Sequence, residues 1–382
     1  MRKLIILMAA LISVSCISGR KSGARQTADD KTRKYDVYAF GWVGDGTSAG
    51  GMEDGREYKS VYWKNGVRTV IADAVGTPEG YAEFHATDMA FVDGRPVFLG
   101  RAYENGRDDF SYFTYEDGKF TDTGLNENLN EPRLLDAGGE LVVVGWTSVT
   151  DKDGTMNLRP LAWTKDRGTE IYDLNGFKCN EINGAVAENG NIYVCGRVYR
   201  GSFNDYDGYG AVWKNGEISV FRAPDNGKTM FGFTAITVSG GNTYTLMHSQ
   251  DDVPPSATRL TVWKNGNPLM TIDTDNPNAT ATCMAVDGDD IYVGGSANST
   301  IPDDTGNSYG MPAIWKNGKA MDMDRAGVFG WINSIAVADG KVYATGNAGF
   351  KGAVWADGKC AVQKGANGEN TVVKVFCVPA RR

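Results

Sequence analysis

Three tryptophans, Trp42, Trp146 and Trp331, stand beside Asp, Asn, Ser or Thr residues in a 382-residue chain, and Phe233 sits in a similar setting. Aromatic rings among short polar side chains suit a sugar, whose C–H faces stack while its hydroxyls take hydrogen bonds. The same amphipathic rings anchor protein partners. Arg197, His248, Asn183 and Asn333 add charge and amide chemistry to this candidate binding set. The plainer role for each ring is to cover the end of a strand.

Other chemistry is thinner. The chain has two histidines, His85 and His248, and no Gly-x-Ser-x-Gly elbow, His-Glu-x-x-His pair or phosphate loop. No catalytic residue is expected from these signals, although a carboxylate pair serving a hydrolase or lyase stays open, because it depends on a separation only a structure supplies. Acidic turns recur at Asp45-Gly46, Asp151–Gly154, Asp205–Gly208 and Asp303–Gly306. Calcium needs six to eight oxygens, and none of these turns completes a twelve-residue loop with its terminal Glu. The expectation is therefore no cofactor and no metal, with Ca²⁺ as the weaker alternative.

The elements that must position these residues are written as a repeat. Trp63-Lys64-Asn65-Gly66 returns at Trp213, Trp263 and Trp315, and degraded copies stand at Tyr115, Trp163 and Trp355. The seven anchors are spaced by 52, 48, 50, 50, 52 and 40 residues. A period near 50 predicts propeller blades. In the clearest copy, Ile182–Ala187 reads as strand a, Ile192–Gly196 as strand b, Gly210–Lys214 as strand c and Glu217–Phe221 as strand d. Asn-Gly between c and d favours a type I′ turn, whose two central residues need positive φ. Both faces of a blade pack on neighbours, so the repeated Trp is predicted to fill the core.

The first copy starts directly with strand b, at Val37–Gly41. The run Thr371–Val378 is predicted to supply its strand a and so close the ring. The expected fold is all-β, a seven-bladed β-propeller of four-stranded antiparallel blades spanning residues 35–382. Asn183, Thr234, Thr282, Asn333 and Asn370 align at the start of strand a and should ring the channel mouth, with bonding to backbone or water as their plainer role. The a–b and c–d turns are tight. The b–c loops and d–a crossovers are long and varied, so the face they share is the expected binding face.

The ends and composition set the context. Met1–Lys3 is basic, Leu4–Ile12 is apolar and small residues follow, which are the parts of a secretory signal over residues 1–15. The apolar run is shorter than the roughly 20 residues of a spanning helix. Ser13-Val14-Ser15-Cys16 resembles the lipobox of bacterial lipoproteins, departing at Ser13 where that family has Leu; the resemblance implies lipidation of Cys16. Cleavage near Ser15 or Gly19 without lipid is the alternative. Residues 16–34 read as a flexible tether. Net charge is −8, which disfavours nucleic acid as a partner. Five further cysteines, Cys179, Cys195, Cys283, Cys360 and Cys377, show no CxxC spacing and leave a disulfide open.

The pattern resembles seven-bladed Kelch and WD-repeat propellers in architecture, without the Gly-His and Trp-Asp marks or the double Gly. It is more similar to the Trp-Lys-Asn-Gly repeat lipoproteins of gut Bacteroidetes. That resemblance implies a lipid anchor in the outer membrane, periplasmic or surface-exposed. The expected function is a binding module for a glycan or an envelope protein, with membrane contact only through the lipid. An envelope polysaccharide hydrolase or lyase, or a structural scaffold, are the alternatives.

Overall fold

A computed structural model describes residues 34–380 apart from 45–57, 105–108, 127–128, 151–153, 155, 201–206, 223–229, 251–257, 275–278, 303–307, 325–328, 350 and 363–369. Cys16, the signal segment and most of the tether lie outside the described residues.

The chain forms seven four-stranded antiparallel blades in a ring, all-β except for one helical turn at Ile71–Val75. The a strands are Asn370–Pro379, Tyr81–Val92, Asn130–Asp136, Lys178–Glu188, Met230–Ser239, Thr280–Asp287 and Gly330–Ala338, for blades 1 to 7. The b strands beside them are Tyr35–Gly44, Arg95–Glu104, Leu141–Thr150, Asn191–Arg200, Asn242–Gln250, Asp290–Pro302 and Lys341–Ala348. The C-terminal strand pairs antiparallel with Tyr35–Gly44, from Tyr35↔Pro379 to Val43↔Asn370. The last segment thus completes the first blade, and no sheet edge is left at the seam.

The Trp-Lys-Asn-Gly hairpin has a physical reason at each position. Asn65 and Gly66 adopt φ of 50° and 83°, and Asn215, Asn265 and Asn317 repeat the pattern, as a type I′ turn demands. The Asn side chain also reaches across to strand b. Asn215 Oδ1 accepts from the Ile192 amide at 2.8 Å, and the Asn215 amide donates to the Ile192 carbonyl at 2.9 Å. Asn65 and Asn317 do the same to Val37 and Ile291. The preceding Lys lies over the strand-b tyrosine, Lys316 Nζ being 5.3 Å from the Tyr292 ring centroid. The Trp is core, with Trp213 and Trp355 fully buried. Their indole N–H groups donate to the Asp173 and Asp324 carbonyls in the crossovers from the preceding blades. One four-residue motif therefore pins strands b, c and d and the neighbouring blade together.

Each a strand carries a bulge, and the bulges are stitched around the axis. Asn183 Nδ2 donates to the Phe233 carbonyl at 3.0 Å. Thr234 Oγ1 donates to Ala281, Thr282 Oγ1 to Ile332 and Asn333 Nδ2 to Val372. On the other side of the ring Arg133 donates to the Asn183 carbonyl, the Leu134 amide to Asp88, and Lys374 Nζ to Asp88 at 2.5 Å. All seven blade junctions are bridged in this way. Asn183 and Asn333 therefore take the plainer of their two roles, since their amides are engaged in holding neighbouring blades. In blade 1 the bulged residue is Val373, not Asn370.

The described cysteines are all free. Burial pushes the thiols of Cys179, Cys195, Cys283 and Cys377 up to about 12 and that of Cys360 to about 11, so they behave as small apolar side chains.

Candidate functional site: the channel mouth on the loop face

The b strands run further toward the loop face than their apolar cores predicted. Trp42, Trp146, Arg197 and His248 consequently lie on strand rather than on loop. They occupy one column of the repeat, the position just after the strand-b glycine or its equivalent. Arg101, Ser296 and Asn347 fill that column in the other three blades. Opposite them on the a strands stand Thr371, His85, Asn130, Glu181, Gly232, Thr280 and Trp331, by register pairs such as Arg101↔His85, Arg197↔Glu181 and Asn347↔Trp331. Two concentric rows of side chains thus meet at one level around the axis.

The glycine below the outer row follows from the bulge. A Cβ at Gly41, Gly196 or Gly346 would lie 1.9, 2.1 or 1.9 Å from the carbonyl oxygen of Thr371, Glu181 or Trp331. The backbone of strand a passes too close for any side chain there. Blade 5 is the exception, with Met247 at this strand-b position.

The column also explains why Phe233 is not a site residue, and this corrects the expectation. Gly232, not Phe233, is the equivalent of Trp331. Phe233 shares the next position with Ile182, Ala281, Ile332 and Val372, all buried. One residue along a strand turns a side chain to the other face. The Phe233 ring is fully buried, 5.9 Å from Trp263 and 5.7 Å from Phe221.

The remaining predicted residues fall into two groups. Trp331 is exposed, at 40%. Trp146 is half-buried against the core between blades 3 and 4. Trp42 is half-buried too, and its indole N–H donates to the Ala86 carbonyl at 3.3 Å, so its ring covers a strand end between blades 1 and 2. Arg197 is buried. Its guanidinium lies 3.8 Å from Glu181, and its stem covers the space a Gly232 side chain would fill. Asn183 Nδ2 lies 3.4 Å from the same carboxylate. His248 is half-buried nearby, and burial holds its imidazole below the usual range against the opposing pull of Glu181. Glu181, Arg197, Asn183 and His248 thus form one polar cluster between blades 4 and 5.

Sequence reasoning missed Arg101, Glu181 and the half-buried aromatics Tyr103 and Phe110. The signal for Arg101 was present, since it follows Gly100 as Trp42 follows Gly41 and Trp146 follows Gly145. Among the described residues no group of three or more His, Cys, Asp or Glu side chains is placed to hold a metal ion. The acidic turns at Asp45-Gly46, Asp151–Gly154, Asp205–Gly208 and Asp303–Gly306 fall largely outside the described residues. At the opposite end of the channel, a cavity of about 390 Å³ is walled by Phe91, Phe376, Val378 and Pro379, with Asp93 and Asp136 at its rim. None of the sequence-predicted residues lines it.

No protein-family model matches the chain, and no curated protein sequence does. Among solved structures it is similar to an acylaminoacyl peptidase in complex with Z-Gly-Gly-Phe-chloromethyl ketone, at 11% identity and a TM-score of 0.52 over 88% of this chain and 52% of that one. It is similar also to the β-propeller domain of the Trilobed protease from Pyrococcus furiosus (11% identity, TM-score 0.47, 74% of this chain and 86% of that one). A third is the Penicillium chrysogenum α-L-arabinanase complexed with arabinobiose (10%, 0.39, 78% and 95%). The chain spans about half the length of the peptidase chain it matches. At such identities the likeness carries the fold, a β-propeller, and nothing of the chemistry.

Proposed function

We propose that the protein is a carbohydrate-binding propeller module whose site is the channel mouth on the loop face, held at the bacterial cell envelope by a lipid on Cys16. The observation that carries this reading is the contrast between two columns of the repeat. The hairpin Trp, Lys, Asn and Gly recur because they build the blade. The mouth column instead runs Trp42, Arg101, Trp146, Arg197, His248, Ser296 and Asn347, although every blade presents it in the same geometry. A position free to differ on a repeated scaffold is where recognition is written. Its residue types, stacking rings with amides, hydroxyls and guanidinium groups, match the alternating apolar and hydroxyl surfaces of a sugar.

Lys34 pairs with Asp339, in an a–b turn, at 3.3 Å, and its carbonyl accepts from the Ala380 amide. Both ends of the described chain therefore lie on the tight-turn face. A lipid on Cys16 would tether the propeller from the face opposite the mouth.

A glycan-array screen of the purified full chain, with calcium and with chelator, tests the reading. Saturable hits that weaken in Trp331→Ala and Trp146→Ala are expected. A clean negative would refute the glycan reading and leave a protein partner to be sought by envelope pull-down. Loss of the hits in chelator would return the Asp-Gly turns to consideration as metal sites.

A further inference from the structure

We propose that the loop-face end of blade 2 is the subsite for an acidic group on the glycan, with Arg101 as the residue that takes its charge. The inference rests on the carbohydrate-binding reading and names the substrate class of the same mouth. On one face of blade 2, His85 pairs with Arg101 and Arg101 with Tyr112; one row further out, Glu83 pairs with Tyr103 and Tyr103 with Phe110. Alternation places all six side chains on the same side of the sheet. That side is the one turned toward blade 3. There Tyr112 is buried and Phe110 packs on the core between blades 2 and 3, while Arg101 and Tyr103 stay half-buried beside them.

Arg101 is held rather than neutralised. Its Nε donates to the Tyr112 hydroxyl at 3.0 Å, and its guanidinium carbon lies 4.6 Å from the Phe110 ring centroid and 5.6 Å from that of Tyr112. Among the described residues no carboxylate is paired with it. Glu83, an acid on the same face, is hydrogen-bonded to His85 at 2.9 Å. The other arginines of the mouth are occupied. Arg197 faces Glu181, and Arg133 donates to the Asn183 carbonyl. A half-buried guanidinium with neutral partners has lost part of its hydration and gained no counter-charge, so an anion brought from solution gains more there than at an exposed Arg. Tyr103, 5.5 Å from Phe110 and 5.6 Å from His85, completes an aromatic wall beside it. A ring stacked on that wall with its carboxylate or sulfate on Arg101 fits this arrangement; a neutral sugar would leave the guanidinium without a counter-charge.

The test compares acidic glycans with their neutralised counterparts, carboxyl-reduced or desulfated, on the same array and with the full chain. Acidic members should bind, and their neutral partners should bind about 10- to 100-fold less tightly, the range of one or two charge-assisted hydrogen bonds. Arg101→Gln should erase that difference, bringing the acidic members down to the level of their neutral partners on the same variant. Tyr112→Phe, which keeps the ring and removes the hydroxyl that orients Nε, should reduce the difference without abolishing it, and also guards against a folding defect in the first variant. Neutral and acidic members bound alike, with Arg101→Gln equivalent to wild type, would overturn the acidic subsite and leave the glycan reading standing. No binding to any member would overturn the glycan reading itself, and the subsite with it.

Discussion

Two tryptophans of the same chain have opposite duties, and burial separates them. Trp213 is fully enclosed and its indole N–H is satisfied by a crossover carbonyl, so Trp213→Ala should cost about 3–5 kcal/mol through the cavity it leaves. Trp331 is exposed at 40%, and Trp331→Ala should change stability by no more than about 0.5 kcal/mol. Urea titration of both variants checks the pair, and equal midpoints would show the blade register to be wrong. His248 adds a pH signature. Its folded pKa lies below the ordinary value of 6.5, so the unfolded chain binds more protons in the window beneath that value. Stability present above pH 6.5 is therefore lost as pH falls through the folded pKa. His248→Gln should flatten this acid limb in denaturation curves recorded between pH 7.5 and 5.5.

At the scale of the element, the hairpins were legible because type I′ geometry needs positive φ at both central residues, which Asn-Gly and Asp-Gly supply. The structure adds the reason Asn is preferred over Asp or Gly: its side chain accepts from strand b while its amide donates to a strand-b side chain, as Asn317 does to Ile291 and Asp290. Asn317→Gly keeps the positive φ and loses both bonds. It should cost about 1–2 kcal/mol, and Asn317→Ala more, because φ of 50° also strains an alanine. Thermal melts of the two variants order them. Strand ends were less legible. Gly145 and Gly196 read as strand exits, yet strand b continues to Thr150 and Arg200. A glycine required by a close backbone approach looks the same in sequence as one required by a turn. Phe233 was misplaced by a single residue. Blades 5 and 7 carry the same bulge, at Thr234 and Asn333, so Trp331 matches Gly232 and Phe233 lies one residue along, on the opposite face.

Across the whole molecule, the ring is held by the last strand. Val375 and Val378 are buried, Phe376 packs 5.2 Å from Phe91, and Lys374 donates to the buried Asp88. Removing residues 370–382 deletes strand a of blade 1, opens the seam on both sides and exposes the edge of Tyr35–Gly44. Loss of cooperative unfolding and aggregation are expected; a soluble, cooperatively melting truncation would contradict closure by this strand. Seven blades were readable from one repeated tetrapeptide, because it bonds within its blade and to the crossover from the preceding one, and closure was readable from the strand-like run at Thr371–Val378. The mouth was readable only in part. Trp42, Trp146, Arg197 and His248 were visible as residue types, but Arg101 and Glu181 gain meaning only once the register brings seven equivalent positions to one level.

The most direct measurement is a hydrogen-exchange footprint of the full chain with and without the strongest glycan from the array. Slowed exchange is expected at the loop-face ends of strands a and b, around Arg101, Trp146, Arg197, His248 and Trp331, with the tight turns at Asn215-Gly216 and Asn317-Gly318 unchanged. Protection confined to the tight-turn face, or to the outer d strands, would contradict a binding site at the channel mouth.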